Sequence, residues 1–173
     1  GGVCRRDPLY WPDPPLAGTD RRGGSRRGWL GGTGLYQIEG LKVKQELHIR
    51  TPFGDPSASV IKADYGDQEV LFLPRHGRNH ELLPHEVNYR ANIFALKKSG
   101  ARQVLGFSAV GSLREEIHPG DFAIPSQYFD FVKGNRERTF FGEGVAAHVS
   151  TAEPVCANLT AWVAGKAEQM NLT

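Results

Sequence analysis

Cysteine is nearly absent from this 173-residue chain, with only Cys4 and Cys156 present. Two cysteines cannot build a disulfide framework, and both read as free thiols of a reducing compartment. Long apolar runs are missing too. Nothing approaches the roughly 18 consecutive apolar residues that a membrane span needs, and no apolar core follows a basic start as in a secretory leader. A cytoplasmic protein without membrane contact is the expectation. The six histidines lack metal-ligand spacing. Methionine occurs once, at Met170, and the first residue is Gly1. What is present suffices for a core: 39% of residues are hydrophobic and 23% charged. That balance excludes wholesale disorder, and the length suits one domain.

Charge is unevenly spread. Residues 1–28 hold six arginines, no lysine and three aspartates, a surplus of three positive charges, so the rest of the chain carries −1 of the overall +2. The same stretch has four prolines, six glycines and almost no apolar periodicity. A nucleic-acid-binding arm is one reading. The other, which we prefer, is a disordered extension or sequence upstream of the true start. Order is expected from Trp29.

The body alternates strand and helix signals. Leu41, Val43, Gln45, Leu47 and Ile49 follow a period of two. Ser59–Tyr65 and Glu69–Leu73 read as strands joined at Gly66-Asp67, the second apolar throughout, as a strand covered on both faces should be. Pro84–Lys98 reads as a helix, with Val87, Ala91 and Phe94 on one row, Tyr89, Ile93 and Leu96 on another, and Gly100 as its terminator. Gln103–Ala109 and Asp121–Pro125 read as strands. Asn158–Met170 reads as a helix with Leu159, Trp162, Val163 and Ala167 inward. Strands with intervening helices imply an α/β fold.

Three segments offer anion donors in loops that follow strands. Gly31-Gly32-Thr33-Gly34 can direct backbone N–H groups and the Thr33 hydroxyl at an anion, although a plain tight turn explains the pattern equally. Arg75-His76-Gly77-Arg78 follows a buried strand, where open α/β sheets place ligands, and Arg75 offers a fork that suits phosphate, with His76 as a second donor. A solvated turn is the alternative. His80 and His85 lie close by in sequence. Ser108-Ala109-Val110-Gly111-Ser112 adds a hydroxyl and backbone donors, or is a simple β-turn. No acidic metal cluster, P-loop lysine or Ser-His-Asp order accompanies them, so the expected ligand is an anion held directly by protein donors.

The ordered series Gly31-Gly32-Thr33-Gly34-Leu35, Thr51-Pro52-Phe53-Gly54, Arg75-His76-Gly77, Val87-Asn88-Tyr89-Arg90-Ala91-Asn92-Ile93, Ser108-Ala109-Val110-Gly111-Ser112-Leu113, Pro119-Gly120-Asp121, Thr139-Phe140-Phe141-Gly142, His148-Val149 and Glu153-Pro154-Val155-Cys156 resembles the purine nucleoside phosphorylase family, in its methylthioadenosine-cleaving branch. The resemblance runs from about Leu30 to the last residue. It implies a three-layer α/β sandwich around a mixed sheet and phosphorolysis of S-methyl-5′-thioadenosine to adenine and 5-methylthioribose-1-phosphate, without metal or organic cofactor. It implies phosphate contacts from Thr33, Arg75, His76, Ser108 and Ala109, and a substrate contact from His148; His80 is a further candidate for a ribose or phosphate contact, with a structural role as the alternative. His148 would serve a neighbouring subunit of a homotrimer. Methylthioinosine or another purine nucleoside is the alternative substrate. The family continues well past the position of Thr173, so residues 29–173 are expected to be the first part of such a domain. That part is expected to be inactive alone and to hold no assignable acid or base.

Overall fold

The computed structural model describes residues 27–31, 38–134 and 136–172. They divide into two compact units, one containing residues 38–109 with 27–31 and 136–140, the other containing 110–134 and 141–172.

The first unit is a mixed five-stranded sheet with one helix. Its strands are β1 (Arg27–Gly31), β2 (Leu41–Leu47), β3 (Val60–Tyr65), β4 (Gln68–Pro74) and β5 (Gln103–Gly106), and its helix is α1 (Tyr89–Lys98). The spatial order is β2-β3-β4-β1-β5. β1 runs parallel to both β4 and β5, while β3 is antiparallel to β2 and β4. The chain has the expected α/β class with a mixed sheet. β4 is central, and Val70, Leu71, Phe72 and Leu73 are all at most 3% exposed. That is why its sequence is apolar without alternation. Leu30, Val60, Leu71 and Leu73 form the core with Ala95 and Leu96 of α1. Each such large side chain contributes about 1.5–3 kcal/mol on burial.

β1 differs from expectation. Arg27 and Gly28 lie inside a strand inserted between β4 and β5, so the expected boundary after residue 28 falls within β1 and order begins by Arg27. The glycine suits the close approach of neighbouring structure. A Cβ at Gly28 would meet the Ala101 Cβ at 3.1 Å. Arg27 extends its Nε toward Gln103 Oε1 at 3.4 Å, and the Trp29 ring meets Tyr65 edge-on at 6.0 Å.

β2 also departs from simple alternation. Val43 pairs with Ala63 and Gln45 with Lys62, so Lys44 is an extra residue, a β-bulge. Because side-chain direction alternates along a strand, one extra residue reverses the faces beyond it. Leu47 therefore pairs with Val60 and reaches the α1-side core. Val43, on the opposite face, is 60% exposed. Lys44 turns its ammonium to Asp64 at 2.7 Å.

α1 begins five residues later than the sequence pattern suggests. Asn88 caps it, accepting a hydrogen bond from the Ala91 N–H. Residues before it form a turn in which Glu86 N–H donates to the Leu83 carbonyl at 2.9 Å. The helix ends as expected at Gly100 (φ +97°). Gly100 N–H donates to Lys97 O and Ala101 N–H to Leu96 O, which satisfies the last carbonyls. Asn88 and the fully buried Asn92, one turn apart, clasp the loop after β2. Asn88 Nδ2 donates to Phe53 O at 2.7 Å. Asn92 Oδ1 accepts from Ser57 N–H at 2.7 Å while its Nδ2 donates to Ser57 Oγ at 2.9 Å.

In the second unit the described structure is one helix, α2 (Ala157–Gln169), and an isolated bridge between Gly142 and Val145. The expected strand over 121–125 does not form. Leu159, Trp162, Val163 and Ala167 lie on α2, but none is buried, and Trp162 is 41% exposed. Their apolar spacing is helical, and Leu159, Val163 and Ala167 are half-buried. No described helix is long and apolar enough to cross a membrane.

Candidate active site

Three adjacent parallel strands deliver their carboxyl ends to one edge of the sheet. Gly31 of β1 lies level with Pro74 of β4, and Leu30 level with Gly106 of β5. The ladder continues one step past each strand, because Arg75 N–H donates to Gly31 O at 3.0 Å and Phe107 N–H to Leu30 O at 3.0 Å. The backbone at residues 75 and 107 is thereby anchored to β1 before either loop departs. Arg75 then reaches across the end of β1 and donates through Nη1 to Ser108 Oγ at 2.8 Å. Two of the three segments singled out in the sequence thus meet through one guanidinium.

The loop after Arg75 closes on itself. Gly77 N–H donates to Pro74 O and Leu82 N–H to His76 O. Gly77 has φ +80°, and a Cβ there would run into the Glu81 carboxylate. Arg78 leaves the loop to pair with Glu46, and that hydrogen bond holds the exposed Glu46 carboxyl below its ordinary value. His80, at φ +60°, stacks its ring on His76 at 4.9 Å and 13°.

The state of His76 follows from its partners. Nδ1 lies 2.9 Å from the Leu82 carbonyl oxygen, which can only accept. Nε2 lies 3.3 Å from Arg75 Nε, which can only donate. These partners give Nδ1 the donor role and Nε2 the acceptor role. Sequence reasoning missed Leu82, because the group that orients His76 is a backbone carbonyl and any residue supplies one.

Arg75, His76, His80 and Ser108 are brought together, with Ala109 next in the chain and exposed. Thr33 lies outside the described residues. His148 is exposed and belongs to the second unit. Among the described residues no group of three or more His, Cys, Asp or Glu is placed to hold a metal ion. Cys156 is exposed at the start of α2. The arrangement suits an anion. A guanidinium carries five N–H donors and no acceptor, and here it stands between a hydroxyl and an imidazole on which a second imidazole stacks.

Residues 26–173 match the sequence profile of the family described as the Phosphorylase superfamily. This chain belongs to the phosphorylase superfamily. Among its relatives, the S-methyl-5′-thioadenosine phosphorylase of Geobacter sulfurreducens is 48% identical over 146 residues, which cover 84% of this chain and 51% of the relative. That of Saccharolobus solfataricus is 46% identical over 145 residues, covering 84% and 53%. A solved methylthioadenosine phosphorylase sourced from an antarctic soil metagenomic library superposes with a TM-score of 0.80 at 42% identity, over 86% of this chain and 52% of that one. The Schistosoma mansoni methylthioadenosine phosphorylase in complex with adenine gives 0.78 at 36%, over 85% and 55%. The chain spans about half the length of these relatives.

Proposed function

We propose that this chain supplies the phosphate-binding part of an enzyme that cleaves S-methyl-5′-thioadenosine by phosphorolysis, giving adenine and 5-methylthioribose-1-phosphate. The observation that carries the reading is Arg75, tied to β1 through its backbone and to Ser108 through its side chain. In the proposed site Arg75, His76, Ser108, the backbone N–H of Ala109 and Thr33 hold inorganic phosphate. His80 contacts phosphate or ribose. His148 lies against the 5′-methylthio group of a neighbouring subunit in a homotrimer. The reaction uses neither metal nor organic cofactor and runs in the cytoplasm.

The chemistry needs little more from these residues. A phosphate oxygen attacks C1′, the C1′–N9 bond breaks, and the bond pair leaves with the adenine, which takes up a proton. Positive charge accumulates on the ribosyl ring in the transition state. A phosphate fixed beneath C1′ is then both nucleophile and counter-charge. Leaving-group protonation needs a donor at the base, and no residue of this chain is assigned that role.

Calorimetric titration of inorganic phosphate into the 173-residue chain tests the reading. We expect weak, saturable binding that Arg75→Ala reduces about 10- to 100-fold, the size of one or two charge-assisted hydrogen bonds. Wild-type chain that binds no phosphate would overturn it. We expect the chain alone to release no adenine from methylthioadenosine. Ordinary turnover would show that the whole catalytic apparatus lies within these residues.

A further inference from the structure

We propose that Glu46 and Arg78 are positioning residues, whose ion pair holds the loop of residues 75–82 against β2 in the orientation that binds phosphate. This rests on the anion site proposed above and adds to it two residues outside the phosphate contacts. The loop carries Arg75 and His76 at its head. Its internal bonds run from Gly77 N–H to Pro74 O, from Leu82 N–H to His76 O and from Asn79 N–H to the Glu81 carboxylate. They keep its shape but do not set where that shape points. Arg75 N–H on Gly31 O fixes the head to β1. Arg78 fixes the far part to Glu46 of β2. β1 and β2 lie on opposite flanks of β4, so the loop is held from both sides of the strand that launches it. His80 within the loop has φ +60°, a conformation uncommon outside glycine that persists where surrounding contacts impose it.

The bulge in β2 is what presents Glu46. Val43 pairs with Ala63 and Glu46 with Ile61. Ala63 and Ile61 are two positions apart, so they share a face of β3. Val43 and Glu46 are three positions apart, and they share that face only because Lys44 is an extra residue. In a regular β2, Glu46 would turn to the α1 side, where Leu47 now meets Val60 in the core. One inserted residue therefore buries Leu47 and delivers a carboxylate to the anion loop. The pair is exposed, so it adds little to global stability. It acts on the loop, and it raises affinity only by as much as it favours the binding orientation.

Calorimetric titration of inorganic phosphate into the full chain, at fixed pH and ionic strength, separates positioning from simple charge, because the two predict opposite signs. Through its field alone, loss of the Glu46 carboxylate tightens binding of an anion. Through positioning, the same loss weakens it. We expect Glu46→Ala to weaken phosphate binding about two- to fivefold, the size an exposed ion pair supports, with the urea unfolding midpoint unchanged. Arg78→Met should weaken binding more in the wild-type chain than in the Glu46→Ala chain, since fields add whereas a tie is lost only once. Three results overturn this inference and leave the anion site standing. Glu46→Ala binds phosphate as tightly as wild type or more tightly, or it weakens binding only as the folded fraction falls, or Arg78→Met costs the same in both chains. A wild-type chain that binds no phosphate overturns both.

Discussion

The two units carry similar apolar residues to opposite ends. In the sheet unit Phe72, Leu71 and Leu73 are essentially inaccessible to solvent. In the other, Phe131 is 78% exposed, Phe129 82% and Leu113 fully exposed. Helix α1 buries Ala91, Asn92, Ala95 and Leu96, whereas α2 buries none of its residues. Composition does not explain the contrast. The sheet unit brings strands from distant parts of the chain together so that the apolar residues of β3 and β4 find partners on neighbouring strands or on α1. Residues 110–134 and 141–172 contain the same kinds of side chain without paired strands to set them against. An apolar pattern predicts burial only when the covering surface is also present.

Leu71→Ala should give the largest effect, a loss of about 2–5 kcal/mol in urea unfolding, while Phe131→Ala should change stability by less than about 0.5 kcal/mol. Equal losses would break the comparison. Next come polar clasps. Asn92→Ala leaves Ser57 without its partner and should cost about 1–3 kcal/mol. Gln127→Ala removes only exposed hydrogen bonds, to Thr151 O and Ala152 O and from Tyr128 N–H, and should be nearly neutral. Glycine gives a change of sign. Gly28→Ala forces a Cβ against that of Ala101 and should destabilise by about 1–3 kcal/mol. Gly165→Ala, in α2 with open space around it, should stabilise by up to about 1 kcal/mol. Thermal melts of both variants check this.

The smallest effect should be the same in both units. Glu46 is held low by its hydrogen bond to Arg78, and Glu116 by its bond to Arg114. A carboxyl whose folded value is depressed favours the folded state above the ordinary glutamate range, and that contribution is lost as pH falls through the depressed value. Both pairs are exposed, so the contribution is slight. An NMR titration of Arg78→Ala should return Glu46 toward its ordinary value and leave Glu116 unmoved.

Much of the sheet unit was legible in its sequence because its signals are local. The apolar run of β4, the Gly66-Asp67 turn and the Gly100 terminator each act within a few residues, and each appears where expected. The start of α1 was misread because Pro84 is a permitted first-turn residue, yet Asn88 supplies the cap that forms. The bulge at Lys44 left no mark in an otherwise regular alternation. Order is expected only from Trp29, yet Arg27 and Gly28 belong to β1. Whether a glycine weakens a strand or fits a close neighbour depends on Ala101, more than seventy positions away. The site followed the same rule. Arg75 and Ser108 announced their chemistry by residue type, whereas the Leu82 carbonyl that sets the hydrogen on His76 could not.

The insertion of β1 also makes the site a product of two pairings. Among the described residues β5 pairs with no strand but β1, and β1 also pairs with β4. β4 and β5 do not touch each other as neighbours in the sheet, so Arg75 and Ser108 stand together only because one strand holds both ladders in register. The shared anchor is the backbone of Leu30 and Gly31, whose carbonyls accept from Phe107 and Arg75 N–H.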